Sequence, residues 1–258
     1  FIRRKVSDGT YYFLVNHSAS TISQTISLNT KTGTVMAMDP LTGKRGTISS
    51  ESIADGTRVT LFLKSGESIF LKTFNDKVDL DIPAWPDYGK SASTTDISKN
   101  WKLTFTQGQP KLPLAQSMDQ IKPWTNNGDS IANDFSGQAT YSSEFDFKKS
   151  EGKHYLLTID KVYESAKIWI NGEYAGNSWS IPYQLDITEQ LVNGQNTIKI
   201  EVANLMANSI RYLDRNGIEW RNYHEINFVN IDYKPFDASN WKTMPSGLDG
   251  KIQISEFD

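Results

Sequence analysis

The sequence predicts an all-β protein made of two antiparallel β-sandwich domains. Short segments alternate apolar and polar residues, turn-forming residues separate them at close spacing, and segments with the 3.6-residue period of a helix are few. The 258 residues are enough for two modest domains, each with its own core.

The first domain is predicted at residues 1–77. Residues 11–15 form a β-rich run, Val35–Met38 leads into an Asp-Pro-Leu-Thr-Gly turn at 39–43, and residues 59–63 alternate. Strands joined by tight turns pair antiparallel and must bury one face against a second layer, so a small sandwich is expected. Because the sequence begins at Phe1 without an initiator Met or a signal segment, we expect this domain to be truncated at its N-terminus.

A linker is predicted at residues 78–98. The segment has few residues suited to a core and contains instead Pro83, Pro86, Gly89 and a polar run at 91–95. Such turn formers interrupt the alternating pattern, so the domain boundary belongs in this segment.

The second domain is predicted at residues 99–258. Residues 155–159 and 166–170 alternate, and Asn171-Gly172 between β-type segments predicts a type I′ hairpin. Within the domain, an irregular insertion is predicted at residues 205–241; it opens with helix-compatible spacing. Trp169 faces away from its neighbours Ile168 and Ile170, so it is either an exposed platform or part of a core on the opposite face of its sheet. In a sandwich burial is the commoner outcome, and we predict it here.

Composition excludes several classes of function. The net charge of −3 lacks the positive excess that binding to a phosphate backbone requires, so nucleic acid is not expected as a partner. No apolar run approaches the roughly 20 residues that span a bilayer. Cysteine is absent, which excludes disulfides, thiolate metal sites and thiol nucleophiles.

Two motifs typical of enzyme or metal sites begin in the sequence, but each lacks a required residue. Residues 176–180 resemble a nucleophile elbow but end in Ser180 where the tight turn needs glycine. His224-Glu225 begins a zinc motif, yet Phe228 stands where the second ligand is required. We therefore expect no cofactor; structural calcium is compatible with such sandwiches, but no ligand spacing identifies a site.

Seven residues are candidates for sugar binding or for an interdomain contact, because they combine aromatic faces with hydrogen-bonding groups. These are Trp179, Tyr183, Arg211, Trp220, His224, Glu225 and Tyr233. A glycosidase needs two carboxyl groups separated by roughly 5–9.5 Å. Glu219, Glu225 and Asp232 lie in this region of the sequence, but sequence spacing does not supply that distance, so no catalytic residue is assigned.

Two sets of motifs resemble known families. Residues 135–141 and 166–172, together with Gly176, Pro182, Asp186-Ile187 and 193–196, resemble the galactose-binding-like jelly roll that accompanies many glycoside hydrolases, notably family 2. A second set resembles the C-terminal end of glycoside hydrolase family 106, bacterial α-L-rhamnosidases that act on plant polysaccharides. Its segments are residues 1–5, 39–43, 204–208, 211–214, 224–230, 233–236 and 245–248.

The resemblance implies that the catalytic carboxylates of the parent enzyme lie in a barrel on the N-terminal side, and it transfers no catalytic residue to this chain. We therefore expect a non-catalytic accessory region of a periplasmic or extracellular glycoside hydrolase, whose partner is that barrel and whose contact element is residues 205–241. Two alternatives remain. One is a carbohydrate-binding module that uses Trp179, Tyr183 or the segment around His224; the other is a self-contained glycosidase that uses Glu219, Glu225 or Asp232.

Overall fold

The computed structural model describes residues 1–89, 91–221, 234 and 236–257. Strands account for most of its regular structure, and all strand pairs within its sheets are antiparallel. The predicted all-β fold class is confirmed. Among the described residues, no helix has both the length and the apolar character that a membrane crossing requires.

The first sandwich packs a five-stranded sheet, ordered β1-β2-β8-β4-β5, against a three-stranded sheet, ordered β3-β7-β6. Inward residues of β7 (Val59, Leu61 and Leu63) meet inward residues of β4 and β8 in one core. The period-2 alternation in the sequence is therefore the alternation between core and solvent. The strands are β1 (Ile2–Val6), β2 (Gly9–Val15), β3 (Ile22–Leu28), β4 (Val35–Met38), β5 (Arg45–Ile48), β6 (Ser50–Ile53), β7 (Gly56–Leu63) and β8 (Ser68–Phe74).

The second sandwich packs a six-stranded sheet, ordered β11-β10-β12-β17-β14-β15, against a four-stranded sheet, ordered β16-β13-β18-β9. A core separate from the first one fills the space between them. Its elements are β9 (Ser93–Asp96), β10 (Trp101–Gln109), β11 (Gln116–Met118), a 3₁₀ turn (Trp124–Asn126), α1 (Ser130–Asp134), β12 (Ser136–Phe147), β13 (His154–Tyr163), β14 (Ser165–Ile170), β15 (Glu173–Ser178), β16 (Gln184–Asp186), β17 (Gly194–Ala203), α2 (Ala207–Arg215) and β18 (Gly247–Phe257).

The hairpin predicted at Asn171-Gly172 is confirmed. Both residues have positive φ angles, 53° and 81°, and they join β14 to β15. A type I′ turn requires positive φ at both central positions, and asparagine and glycine tolerate it best.

The predicted burial of Trp169 is wrong. Its side chain is half-buried on the outer face of the six-stranded sheet, where Lys199 Nζ lies 3.9 Å from the ring centroid. The core of this sandwich lies on the other face, which Ile168 and Ile170 occupy. Trp169 is therefore covered by a cation rather than by a second layer.

Two parts of the predicted linker, residues 78–98, are attached to the domains on either side of it. Ser93–Asp96 forms β9 and pairs with β18, so this part belongs to a sheet of the second domain. Its four residues are all exposed and polar, so no alternation indicates a strand. Near the other end, Thr47 accepts a backbone hydrogen bond from Trp85 at 2.8 Å, which ties the segment to the first domain.

Gly247 begins β18 at a position where only glycine fits. Its φ is +104°, and a Cβ placed there would lie 2.3 Å from the Tyr141 hydroxyl and 2.8 Å from the Trp124 ring. Tyr141 and Trp124 are both fully buried. They have little room to move, because a packed core accommodates added atoms poorly.

We expect Gly247→Ala to lower the free energy of unfolding by about 2–4 kcal/mol, since it adds backbone strain to an overpacked core. Chemical denaturation followed by tryptophan fluorescence measures the change. Gly172→Ala is the matched control, because Gly172 also has a positive φ but has no heavy atom within 4 Å of the added Cβ. A loss no larger than that of the control would contradict this account of Gly247.

Candidate functional site

A cleft of about 600 Å³ lies between the first domain, the linker and the second domain. The first domain contributes residues from 39–45 and 62–68, and the linker contributes residues from 83–88. The second domain contributes residues from 179–189 together with His154 and Leu156. We take this cleft as the candidate site because three separate parts of the chain meet there.

The turn at 39–43 positions Lys44 at the cleft. Asp39 accepts hydrogen bonds from the backbone N–H of Leu41 at 2.8 Å and from the hydroxyl of Thr42 at 2.6 Å. Gly43 closes the turn with a φ of +74°, a conformation that glycine adopts readily. Lys44 follows directly and reaches across to the second domain.

Asp186, the last residue of β16, forms an ion pair with Lys44. The Lys44 Nζ lies 2.6 Å from one carboxylate oxygen, and the Tyr88 hydroxyl donates to the same oxygen at 3.0 Å. The other oxygen accepts the backbone N–H of Thr188 at 2.9 Å and also its hydroxyl. One carboxylate thus connects the first domain, the linker and the second domain, and its side chain is only 10% exposed.

The surroundings of Asp186 favour its ionised form. Burial by itself raises the pKa of this carboxyl, but the hydrogen bonds from Lys44 and Thr188 outweigh it, and the pKa lies below its ordinary value of 3.8. Burial, followed by the charge of Asp186, raises the pKa of Tyr88 far above its ordinary value of 10.0. The stabilisation that comes from ionised Asp186 is therefore complete above pH 3.8, and that which comes from protonated Tyr88 is complete below pH 10.0.

Lys64 and Glu67 form a second charged part of the cleft wall. The Glu67 carboxylate accepts the backbone N–H of Lys64 at 2.7 Å. Burial lowers the pKa of Lys64 and raises the pKa of Glu67, so both shifts favour the neutral forms. Both side chains are half-buried.

Opposite pKa shifts on Glu67 and Asp186 are typical of an acid–base pair of carboxyl groups. The Asp186 carboxylate, however, already holds Lys44, Tyr88 and Thr188. This arrangement favours a joint between domains over a nucleophile or a general base.

The mouth of the cleft is apolar and open. Trp179 is 60% exposed, Ile181 is 50% exposed and Leu41 is 38% exposed, and all three line the cleft. Ile181 also packs closely against Gly66, where an added Cβ would lie 2.7 Å from its Cγ1. The Gly66 position therefore provides a second close contact between the domains.

Four of the seven candidate residues lie in the part of the chain that the structure describes, and of these four Trp179 alone lines the cleft. Tyr183 is half-buried and packs against the second core, with Lys161 Nζ 5.8 Å from its ring centroid. Arg211 is 6% exposed and forms a 2.7 Å ion pair with Asp134, so it joins α2 to α1.

Trp220 belongs to a cluster around Asp214 rather than to the cleft. Its indole N–H donates to Asp214 at 2.7 Å, and Arg221 and the backbone N–H of Ala238 donate to the same carboxylate. Glu219 is exposed. The remaining candidates, His224, Glu225, Asp232 and Tyr233, lie outside the described residues.

Sequence reasoning missed the residues at the centre of the cleft. Asp186 and the turn at 39–43 stand out in the sequence as turn signals, and Tyr88 has no distinguishing pattern. Lys44 and Asp186 lie 142 positions apart, and no spacing rule relates them. Among the described residues, no group of three or more histidine or acidic side chains could hold a metal ion.

Comparisons with known proteins place part of the chain in a recognised domain type. Residues 122–239 match the family described as "Glycosyl hydrolase 2 galactose-binding domain-like". The putative β-glucuronidase of Formosa agariphila is 24% identical over 194 residues, which are 65% of this chain and 17% of that protein. The β-galactosidase of Lactococcus lactis is 26% identical over 160 residues, which are 60% of this chain and 15% of that protein.

One solved structure resembles nearly all of the chain. The rhamnosidase from Novosphingobium sp. PP1Y matches 98% of this chain and 23% of its own, with a TM-score of 0.75 and 26% identity. The chain therefore spans less than a quarter of the length of each of these relatives. The expected galactose-binding-like domain and the expected association with glycoside hydrolases are confirmed.

We expect Asp186→Asn to lower the free energy of unfolding by about 1–2 kcal/mol at pH 7, because the ion pair with the half-exposed Lys44 is lost. Asp186 has a depressed pKa when folded, so its stabilisation is complete above pH 3.8 and is lost as the pH falls through the folded-state pKa. The difference between the two proteins should therefore disappear in acid. Urea unfolding at a series of pH values measures it.

Asp146→Asn is the control for this substitution, since Asp146 is an exposed aspartate on β12. It should leave the stability within about 0.5 kcal/mol of the original protein. If Asp186→Asn were equally neutral at pH 7, Asp186 would not join the domains.

Proposed function

We propose that this glycoside hydrolase-associated chain is the C-terminal accessory region of an α-L-rhamnosidase of glycoside hydrolase family 106. In this proposal the galactose-binding-like domain has jelly-roll topology, and the catalytic carboxylates lie in a barrel outside the 258 residues. The likeness to a rhamnosidase over 98% of the chain, at a TM-score of 0.75, supports it. So does the small share of that protein, 23%, that the chain spans.

The observation that carries the proposal is an exposed apolar surface on the irregular insertion and the residues just after it. Five large apolar side chains between positions 205 and 244 are 40–47% exposed: Leu205, Met206, Ile218, Trp241 and Met244. Several exposed large apolar side chains within one segment are typical of an interaction surface, because leaving them in water is unfavourable. We propose that this surface packs against the catalytic barrel.

The surface is held in place by a buried polar network. The Asn208 side chain, 1% exposed, donates to the Met244 carbonyl at 2.9 Å and accepts its backbone N–H at 2.8 Å. Asn204 donates to the Ser246 hydroxyl at 2.8 Å. These contacts fix α2 and the segment before β18 relative to each other, so a partner meets a preformed surface.

The parent enzyme is bacterial, acts on plant polysaccharide in the periplasm or outside the cell, and uses this region to stabilise or shape the barrel. The region itself requires no cofactor. We propose no catalytic step for it, because Asp186, the acid at the centre of the candidate cleft, is already paired with Lys44.

We expect the purified 258-residue chain to hydrolyse no 4-nitrophenyl α-L-rhamnopyranoside, because the reacting groups lie elsewhere. Release of nitrophenolate measures turnover, and the parent enzyme that contains the barrel is the positive control. Turnover by the chain alone would favour the self-contained glycosidase instead.

We expect Leu205→Asp to destabilise the parent enzyme by about 1–3 kcal/mol, because it places a charge in an apolar interface. Thermal unfolding of the parent enzyme and of the isolated chain measures the effect, and the isolated chain should be almost unaffected. Val192→Asp is the matched control, since Val192 and Leu205 are both 47% exposed. Equal effects of the two substitutions on the parent enzyme would contradict the proposed interface.

A further inference from the structure

We infer that the cleft between the two domains binds a neutral oligosaccharide, with Trp179 and Trp85 as aromatic contacts. This inference goes beyond the accessory role proposed above, which does not require the cleft to hold a ligand. It is drawn from the size, the aromatic mouth and the charge balance of the cleft.

The cleft has the size of a small-molecule site. Its volume of about 600 Å³ lies within the roughly 300–1,000 Å³ range typical of ligand pockets. A second depression of about 210 Å³ adjoins it, and Trp179 lines both. An elongated ligand such as an oligosaccharide has room to contact Trp179 from one side or to extend past it.

The aromatic groups at the cleft suit the apolar face of a sugar ring. Trp179 is 60% exposed at the mouth, and Trp85 in the linker wall is half-buried against the first core. A large aromatic side chain left this exposed is available to a partner that has both C–H and hydroxyl groups. Trp169 differs, because Lys199 already covers its ring at 3.9 Å.

The polar groups of the lining match sugar hydroxyls. Gln184, Ser180 and Ser68 line the cleft, and their amide and hydroxyl groups donate and accept hydrogen bonds, as sugar hydroxyls do. Gln184 has a fixed orientation, since its amide donates to the Thr158 hydroxyl at 2.7 Å. Groups held in this way bind a ligand with little loss of conformational freedom.

The charge balance favours a neutral sugar over a uronic acid. Among the described residues, the lining contains four acidic side chains (Asp39, Glu67, Asp186 and Glu189) and three basic ones (Lys44, Arg45 and Lys64). Lys44 is already paired with Asp186 at 2.6 Å. A carboxylate entering the cleft would meet an excess of negative charge, which opposes its binding.

The test is titration of the 258-residue chain with galactobiose, rhamnobiose and digalacturonate. Calorimetry measures affinity, and ¹H–¹⁵N spectra of the seven indole N–H groups locate the site. We expect a neutral disaccharide to shift the signals of Trp179 and Trp85 and to leave those of the buried Trp101 and Trp124 in place. Digalacturonate should bind more weakly.

Trp179→Ala should weaken binding about tenfold, the effect of losing one aromatic contact. Trp241→Ala is the matched control, because Trp241 is 40% exposed and lies outside the cleft lining. It should leave the affinity unchanged. Both substitutions replace exposed side chains, and circular dichroism verifies that each variant is folded.

Three results would overturn the inference. The first is the absence of a saturable response to either neutral disaccharide at about 20 mM, a concentration far above a millimolar dissociation constant. The second is tighter binding of digalacturonate than of the neutral disaccharides. The third is an equal loss of affinity in the Trp179→Ala and Trp241→Ala variants. The accessory role is tested separately, by turnover and by Leu205→Asp in the parent enzyme. The failure of one proposal can therefore be told apart from the failure of the other.

Discussion

The carboxylate of Asp186 is the point on which the relative placement of the two sandwiches depends. Each sandwich has its own hydrophobic core, and the burial of apolar side chains stabilises each fold without fixing how the two meet. They meet through the packing of Ile181 against Gly66 and through the polar contacts from Lys44 and Tyr88 to Asp186. Such contacts gain strength because the acceptor is nearly buried, where water screens charge poorly.

The separation of the two cores explains the composition of the cleft. Turns and the linker supply much of the lining between the two cores, including the charged residues Asp39 and Lys44 and the prolines Pro83 and Pro86. Partial burial of Lys64 and Glu67 lowers the pKa of the lysine and raises that of the glutamate. The cleft thus combines charged walls with an exposed tryptophan, Trp179, at its mouth.

The sequence predicts the local structure better than it predicts the site. Alternation identifies β7 and β14 because each has one face in a core, and Asn171-Gly172 identifies a hairpin because its backbone requires positive φ. The same reasoning misses β9, where all four side chains are exposed. It selects Arg211 for its chemistry, although the side chain is committed to Asp134 inside the domain. Long-range pairs such as Lys44 and Asp186 depend on the tertiary fold, which local patterns do not encode.

The position of β18 between β13 and β9 has a consequence for biosynthesis. A growing polypeptide emerges N-terminus first, so every other described strand leaves the ribosome before this inner strand exists. Until residues 247–257 appear, β9 has no neighbour to pair with, and the core lacks Leu248, Ile252 and Ile254. The first sandwich contains all its strands within its first 74 residues and is able to fold during translation, whereas the second completes its folding only after β18 has been made.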